Sequence, residues 1–343
     1  MDVAAEHWRG RNVLITGVTG FIGSALAERL VKRGAIVSGL ANDFKCVRRD
    51  SVVSSVRIMF GDVYDYEKMC ELISSNEVDT IFHLAAYSIV RVAAHDPLST
   101  YRVNVMGTAA LLEAARNVGK VRQIIVASSD KAYGDHETLP YVESHPLQPR
   151  NTYDTSKACM DMIARTYATN YGMPVCVTRC SNVYGPGDRN LSRIVPNTIR
   201  RVLSGKCPQL YSDVETMERE FIFIDDVIDA LEMLGSADPQ DTREEAYNIG
   251  GTGPIKIRDF VEMIAKEADQ NFCGEIEIVE RDEVFREIRK QYIDASKLMC
   301  GFGWRPKTDV KVGLKKTVAW YLADTLDDLM KEAIRRSQAR RLG

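Results

Sequence analysis

Tyr153 and Lys157 stand four residues apart in Tyr153-Asp154-Thr155-Ser156-Lys157, at the start of a helical pattern, so both side chains share one face. A free phenol titrates near ~10 and is a poor base at neutral pH, but a nearby ammonium stabilises the phenolate and lowers that value. Such a pair can take a proton from a hydroxyl group, and the ammonium can in addition bond a ribose hydroxyl. Ser129 closes the apolar run Gln123-Ile124-Ile125-Val126-Ala127-Ser128-Ser129 and can hydrogen-bond the same oxygen that the phenol serves. An isolated YxxxK is ordinarily a solvated pair. Its company in the chain decides what it does.

The elements that must position these residues start with Val13-Leu14-Ile15-Thr16, a short apolar strand. It enters a turn with three glycines spaced three apart: Gly17, Val18, Thr19, Gly20, Phe21, Ile22, Gly23. A helical pattern over Ser24–Arg33 follows, with Ala25, Leu26, Leu30 and Val31 on one face. Strand, glycine turn and helix open a dinucleotide-binding unit, in which the glycines permit the turn and the helix N-terminus attracts a pyrophosphate. The next strand, Ile36–Leu40, leads to Ala41-Asn42-Asp43, where the ribose is read. The Asp43 carboxylate would repel a 2′-phosphate and favours NAD, while Arg48 and Arg49 nearby keep NADP open. Arg57–Val63 reads as a third strand, and Asp62 at its end either meets an adenine amino group or caps the helix that begins near Tyr66.

Thr80–Ala86 reads as a fourth strand and Gln123–Ser129 as a fifth. The small residues ending the fourth let a flat ring lie against backbone, and His83 within it reads as a packed strand histidine. Asn104 inside the helical stretch from Pro97 to Arg116 calls for a specific hydrogen bond, because helix interiors disfavour asparagine. Strands alternating with helices predict a doubly wound parallel α/β sheet of Rossmann type, with ligands beyond the carboxyl ends of its strands. After the strand Val175–Arg179 the alternation lapses. Residues 1–180 are therefore assigned to a dinucleotide-binding domain, joined by returning segments near 222–250, and residues 181–343 to a smaller α/β substrate domain.

The 343 residues suffice for two domains, and 45% apolar and 27% charged residues are ordinary for a globular chain. A net charge of −3 gives no global field for nucleic acid, and Arg335, Arg336, Arg340 and Arg341 read as a solvated helix face or frayed tail. Eight scattered cysteines without CxxC or metal spacing read as free thiols of a reducing cytosol, and no metal is expected. No leader-like or membrane-length apolar run is seen.

With these residues together, the sequence resembles the extended short-chain dehydrogenase/reductases that act on sugar nucleotides. The resemblance covers nearly the whole chain. It rests on Thr16–Gly23, Gly61-Asp62-Val63, His83-Leu84-Ala85-Ala86, Asn104, Tyr153 with Lys157, Asn182 to Gly187, Arg219-Glu220-Phe221, Asp225-Asp226, Asn248-Ile249-Gly250 and Gly303-Trp304-Arg305-Pro306. It implies a cofactor site of Gly17, Thr19, Gly20, Phe21, Ile22, Gly23, Asn42, Asp43, Asp62, Val63, Leu84, Ala85, Ala86, Asn104, Tyr153 and Lys157. Tyr153 would be the base at a sugar hydroxyl, Lys157 its partner and Ser129 a hydroxyl donor. Asn182, Arg193 and Arg219 would bind a nucleotide-diphospho-sugar, with Arg219 suited to a pyrophosphate. A homodimer is expected through helices near Pro97–Arg116 and Ser156–Tyr171, with Ala109, Leu112, Met160 and Ile163 offered to the second copy.

Within the family, Ser128-Ser129-Asp130-Lys131 resembles the 4,6-dehydratases, which place an acid and a base after the catalytic hydroxyl, and the Asp–Lys pair looks like that of CDP-glucose and UDP-N-acetylglucosamine dehydratases. Asp130 would be the acid and Lys131 the base, provided the strand is already turning there, because adjacent strand residues face opposite ways. The alternatives are a C4 epimerase, with the pair only a loop ion pair, and a cofactor-binding regulator without turnover. The regulator would be expected to lack Tyr153 or Lys157.

Overall fold

Val13, Leu14 and Ile15 are buried in succession, the mark of a parallel strand covered by helices on both faces. A computed structural model of the chain describes residues 3–42, 54–212, 214–280 and 288–324. Asp43, Arg48, Arg49 and the four C-terminal arginines lie outside them. The strands that bear on the site are β1 (Asn12–Thr16), β2 (Ile36–Ala41), β3 (Arg57–Phe60), β4 (Thr80–His83), β5 (Gln123–Ser129), β6 (Val175–Cys180), β7 (Glu218–Phe223), β8 (Ala246–Ile249) and β9 (Lys290–Gln291). Seven of them form one parallel sheet in the order β8-β6-β5-β4-β1-β2-β3. The order reverses at β1 and β4, the switch point where such sheets bind ligands. β9 pairs parallel with β7, setting Gln291 beside Arg219.

The helices used below are α1 (Phe21–Lys32), α2 (Tyr66–Ser75), α3 (Gly107–Val118), α4 (Thr152–Tyr171) and α5 (Ile224–Ser236). Leu14, Leu40, Ile81, Ile124 and Val126 meet Met69 and Leu72 of α2, Leu111 and Leu112 of α3, and Met160 and Ala164 of α4 in one buried cluster. α1 and its C-cap set two arginines against α5: Arg29 pairs with Asp229 at 2.7 Å and Arg33 with Glu232 at 2.9 Å.

Two strands stop short of their expected ends. β3 closes at Phe60, so Gly61, Asp62 and Val63 belong to the following loop. β4 closes at His83: Leu84 N still donates to Thr16 O at 3.3 Å, but Ala85 N turns to the Thr16 side-chain oxygen at 3.1 Å. A side chain taking over from the backbone ladder ends the strand, so Leu84, Ala85 and Ala86 are loop.

The chain divides into two compact units: Met1–Val183 with Glu218–Pro254 and Lys290–Lys307, and Tyr184–Met217 with Ile255–Arg289 and the residues from Thr308. The second return to the first unit, Lys290–Lys307, is absent from the sequence assignment, which gives those residues to the substrate domain. The second unit has its own small core of Leu210, Val214, Met217, Ile257 and Val261.

Candidate active site

The glycine turn is built by exclusion. At Gly17, with φ +71, a Cβ would lie 2.9 Å from the Ala85 backbone, so only glycine lets the turn lie against the loop after β4. At Gly23 a Cβ would lie 2.2 Å from the Gly17 carbonyl oxygen, so the first turn of α1 can rest on the loop that precedes it. Gly20 is the N-cap of α1, and Gly20 N closes the turn on Gly17 O at 2.9 Å. Thr19 and Phe21 are buried, and Ile22 is half-buried.

A chain of side-chain hydrogen bonds joins this turn to its neighbours. Thr16 Oγ1 lies 2.8 Å from His83 Nδ1, and His83 Nε2 lies 2.9 Å from Thr108 Oγ1. Thr108 Oγ1 donates to Asn104 O at 2.6 Å, so toward His83 it accepts, and the ring carries its proton on Nε2. Burial drives the His83 pKa down to about 3, and the ring is a neutral strut. Asn104 sits in a π-helical turn, Arg102–Met106. Its Oδ1 accepts from Tyr87 N at 2.7 Å, while Nδ2 donates to Tyr87 O at 3.2 Å and Ser156 Oγ at 2.8 Å. Both amide hydrogens are thus used on protein groups, and Asn104 ties the β4 loop to α4.

β5 ends at Ser129, and Asp130–Tyr133 is one 3₁₀ turn capped by Ser129, whose Oγ accepts from Lys131 N at 3.2 Å. The strand is therefore turning at the pair, as the acid–base reading requires. Ser129 Oγ donates to Asp130 Oδ1 at 3.0 Å, while Asp130 Oδ2 is buried and has no partner among the described residues. Burial raises the Asp130 pKa, although Lys131, Ser129 and Arg219 oppose it. Lys131 is half-buried, and its Nζ donates to Gln291 Oε1 at 2.5 Å.

Tyr153 and Lys157 lie one turn apart on α4, whose Lys157 backbone oxygen accepts from Ser128 Oγ at 3.1 Å and thereby ties the helix to β5. Lys157 is 4% exposed and donates from Nζ to Ala127 O at 2.7 Å; burial lowers its pKa to about 8. Tyr153 is half-buried. Arg219 on β7 is buried, donates to Glu218 O at 2.8 Å, and lowers the pKa of Asp130 by its charge. Asn182 donates from Nδ2 to Glu220 O at 2.9 Å.

Other expected residues are more scattered. Asn42 is exposed at the end of β2, and Asp43 lies outside the described residues. Asp62 is exposed and accepts from Tyr64 OH at 2.8 Å; α2 is capped by Asp65, so Asp62 is no cap. Val63 is core, in contact with the α3 cluster. Arg193 belongs to the second unit and pairs with Asp188 at 3.2 Å.

The chain matches the family model described as GDP-mannose 4,6 dehydratase over residues 14–317. It belongs to that family. It is 31% identical over 348 residues to a dTDP-glucose 4,6-dehydratase of Shigella flexneri, covering 91% of this chain and 93% of that one. It spans about half the length of a trifunctional UDP-glucose 4,6-dehydratase/UDP-4-keto-6-deoxy-D-glucose 3,5-epimerase/UDP-4-keto-L-rhamnose-reductase of Arabidopsis thaliana, 29% identical over 92% of this chain and 48% of that protein. Among solved structures, a dTDP-glucose 4,6-dehydratase from Bacillus anthracis in complex with NAD matches at TM-score 0.81 and 28% identity, over 92% of this chain and 97% of that one. A UDP-glucose 4-epimerase from Thermus thermophilus in complex with NAD matches at TM-score 0.79 and 29% identity, over 90% and 98%. The 4,6 dehydratase family and its extended short-chain dehydrogenase/reductase relatives thus include both reaction types. Among the described residues no helix is long and apolar enough to cross a membrane.

For a member of this family, three features escape a reading by motif. His83 is a strut rather than a passive packed residue, because two threonines from different elements meet its ring. Ser156, between Tyr153 and Lys157, anchors Asn104. Gln291 reaches Lys131 across 160 residues of chain, and nothing in its spacing marks it.

Proposed function

We propose that the chain is an NAD-dependent nucleotide-diphospho-sugar 4,6-dehydratase. The observation that carries the reading is Asp130: a buried carboxyl with a raised pKa, one oxygen held by Ser129 and the other unpartnered, followed directly by Lys131. A C4 epimerase has no proton to move at C5 or C6 and leaves such a group without work. NAD is supported by the glycine turn, where a Cβ at Gly17 or Gly23 would strike the Ala85 backbone or the Gly17 carbonyl and push the turn off the β4 loop and α1, and by the amides at the start of α1. Thr19, Phe21, Ile22, Asn42, Asp62, Leu84, Ala85, Ala86, Tyr153 and Lys157 would complete its site, with Val63 and Asn104 shaping it from behind. When bound, NAD supplies a hydride acceptor and donor.

Tyr153, as phenolate stabilised by the Lys157 ammonium, takes the proton of the sugar C4 hydroxyl as C4 is oxidised. Ser129 steadies the resulting ketone oxygen. Its proton now goes to Asp130, so this contact requires the hydroxyl to rotate, at a cost of about 1 kcal/mol. The ketone acidifies the C5 proton, which Lys131 removes. Asp130 Oδ2–H protonates the departing C6 oxygen and water leaves; C6 is then reduced and Lys131 returns the proton to C5, so the sequence is redox-neutral. Asn182 and Arg219 bind the nucleotide-sugar, the Arg219 guanidinium being suited to a diphosphate. The Asp–Lys pair resembles that of CDP-glucose dehydratases, which places CDP-glucose first among the substrates to try.

The test is incubation with CDP-glucose, UDP-glucose, dTDP-glucose, UDP-N-acetylglucosamine and GDP-mannose, read by mass. Loss of one water supports dehydration; an isomer of unchanged mass, or no turnover of any, sinks it. In single turnovers Asp130→Asn and Lys131→Met should each accumulate reduced nicotinamide and a 4-keto sugar without elimination, because Tyr153, Lys157 and Ser129 remain. The reading includes a homodimer. Leu112 and Met160, offered above to a second copy, are core residues, whereas Leu98, Met106 and Met162 on the same helical segments are exposed and take their place.

A further inference from the structure

Gln291 is fully buried at the end of β9. Its Oε1 accepts from the Lys131 ammonium at 2.5 Å, which fixes the orientation of the amide, since the opposite one would set N–H against N–H. Its Nε2 is then turned away from Lys131, and it is buried without an acceptor among the described residues. Buried amide donors almost always have partners, and leaving one unmade is destabilising. The backbone that carries this residue is pinned: Lys290 pairs with Glu218 in the ladder before it, and after it Tyr141 N donates to Tyr292 O at 3.0 Å, Ile293 N to Glu220 Oε2 at 3.1 Å, and Asp294 N to Tyr141 O at 2.8 Å. The orphan is therefore not relieved by a small shift of the strand.

We propose that Gln291 is a substrate-contacting and positioning residue of the dehydratase, its carbonyl holding Lys131 at the C5 proton and its N–H₂ donating to an oxygen of the nucleotide-sugar. The proposal rests on Lys131 being the elimination base. An amide suits that task because it is neutral. It accepts a hydrogen bond from the ammonium and equally from the free amine, leaving the amine lone pair for the substrate. A carboxylate in its place would set an opposite charge within hydrogen-bond reach and hold the proton on Lys131. Among the described residues, the other titratable or charged groups of this cluster are Asp130, Arg219, Tyr141 and Cys180, with Asp135 and Lys157 acting on the last two. The two orphans, Asp130 Oδ2 and Gln291 Nε2, need a donor or acceptor and an acceptor respectively, and a sugar hydroxyl serves either.

The test uses the whole protein and whichever of the five nucleotide-sugars above it consumes. Gln291→Met should slow elimination about a hundredfold, as expected when a reacting group loses its alignment, and raise KM, while reduced nicotinamide still forms in a single turnover. Gln291→Glu should move the rising limb of the elimination pH profile to higher pH with the first oxidation intact, which a purely structural role would not do. If Lys131→Met blocks elimination but neither Gln291 variant changes its rate or pH limb, the Gln291 proposal is overturned and the dehydratase reading stands. If Lys131→Met still eliminates, the base assignment falls instead. Should both Gln291 variants fail to fold, a crystal structure of wild type with the sugar-nucleotide product bound decides: a ligand oxygen within ~3.5 Å of Nε2 supports the contact, and none overturns it.

Discussion

At the scale of single residues, the site buries two titratable groups, and their pH signatures have opposite sign. Lys157 titrates at about 8, below its ordinary 10.5, because it is buried. The folded chain then binds fewer protons than the unfolded one between those values, so stability rises with pH across that window and the penalty is complete below it. Lys157→Met should raise stability at neutral pH by roughly 2–4 kcal/mol, less what the lost bond to Ala127 contributes, and the gain should fade toward the upper value. Thermal unfolding at several pH values checks this; a pH-independent difference would contradict it. Asp130 runs the other way. Its raised pKa makes the fold most stable in acid, with stability lost as pH rises through the raised value. Asp130→Asn should thus stabilise the protein at neutral pH while blocking elimination, and a variant that both unfolds earlier and eliminates normally would contradict both halves.

At the scale of elements, the glycine turn and the β4 loop act as one wall because each forbids side chains in the other. Gly23→Ala would place a methyl 2.2 Å from the Gly17 carbonyl. The turn must then move away from α1, and overpacking of this kind costs about 1–3 kcal/mol. NAD affinity measured by calorimetry should fall at least tenfold, while Gly20→Ala, whose nearest neighbour is 3.1 Å away, should fall less. Equal affinities for wild type and Gly23→Ala would show that the turn does not carry the cofactor. β5 was legible to its last residue because its apolar run and its burial coincide. β3 and β4 were overrun because the alternation of apolar and small residues continues past the points where Phe60 and His83 leave the ladder. Only a competing acceptor, the Thr16 hydroxyl, ends β4, and it comes from a strand 67 positions away.

At the scale of the whole molecule, the first unit is assembled from three separate stretches of chain, and two of them bring Arg219 and Gln291 to the turn after β5. Sedimentation should find a dimer at micromolar concentration. Replacing Leu98, Met106 and Met162 together by aspartate should yield a monomer, because these are exposed apolar side chains on the helices proposed to pair. A wild-type monomer, or a dimer untouched by the triple replacement, would remove that surface from consideration.

Period and spacing alone determined the parallel sheet, the glycine turn, the strand end at Ser129 and the Tyr153–Lys157 pair, since each is written within a few consecutive residues. Together with the family resemblance they also named Asp130 and Lys131. They could not say what surrounds those two: that Ser129 holds one Asp130 oxygen, that the other is left bare, or that Lys131 leans on Gln291. The helical pattern likewise could not separate Leu112 and Met160, which face the sheet, from Met106 and Met162, which do not. Tertiary structure decided these because burial and hydrogen-bond partnership belong to pairs of distant residues, and a raised or lowered pKa is a property of the enclosure rather than of the side chain.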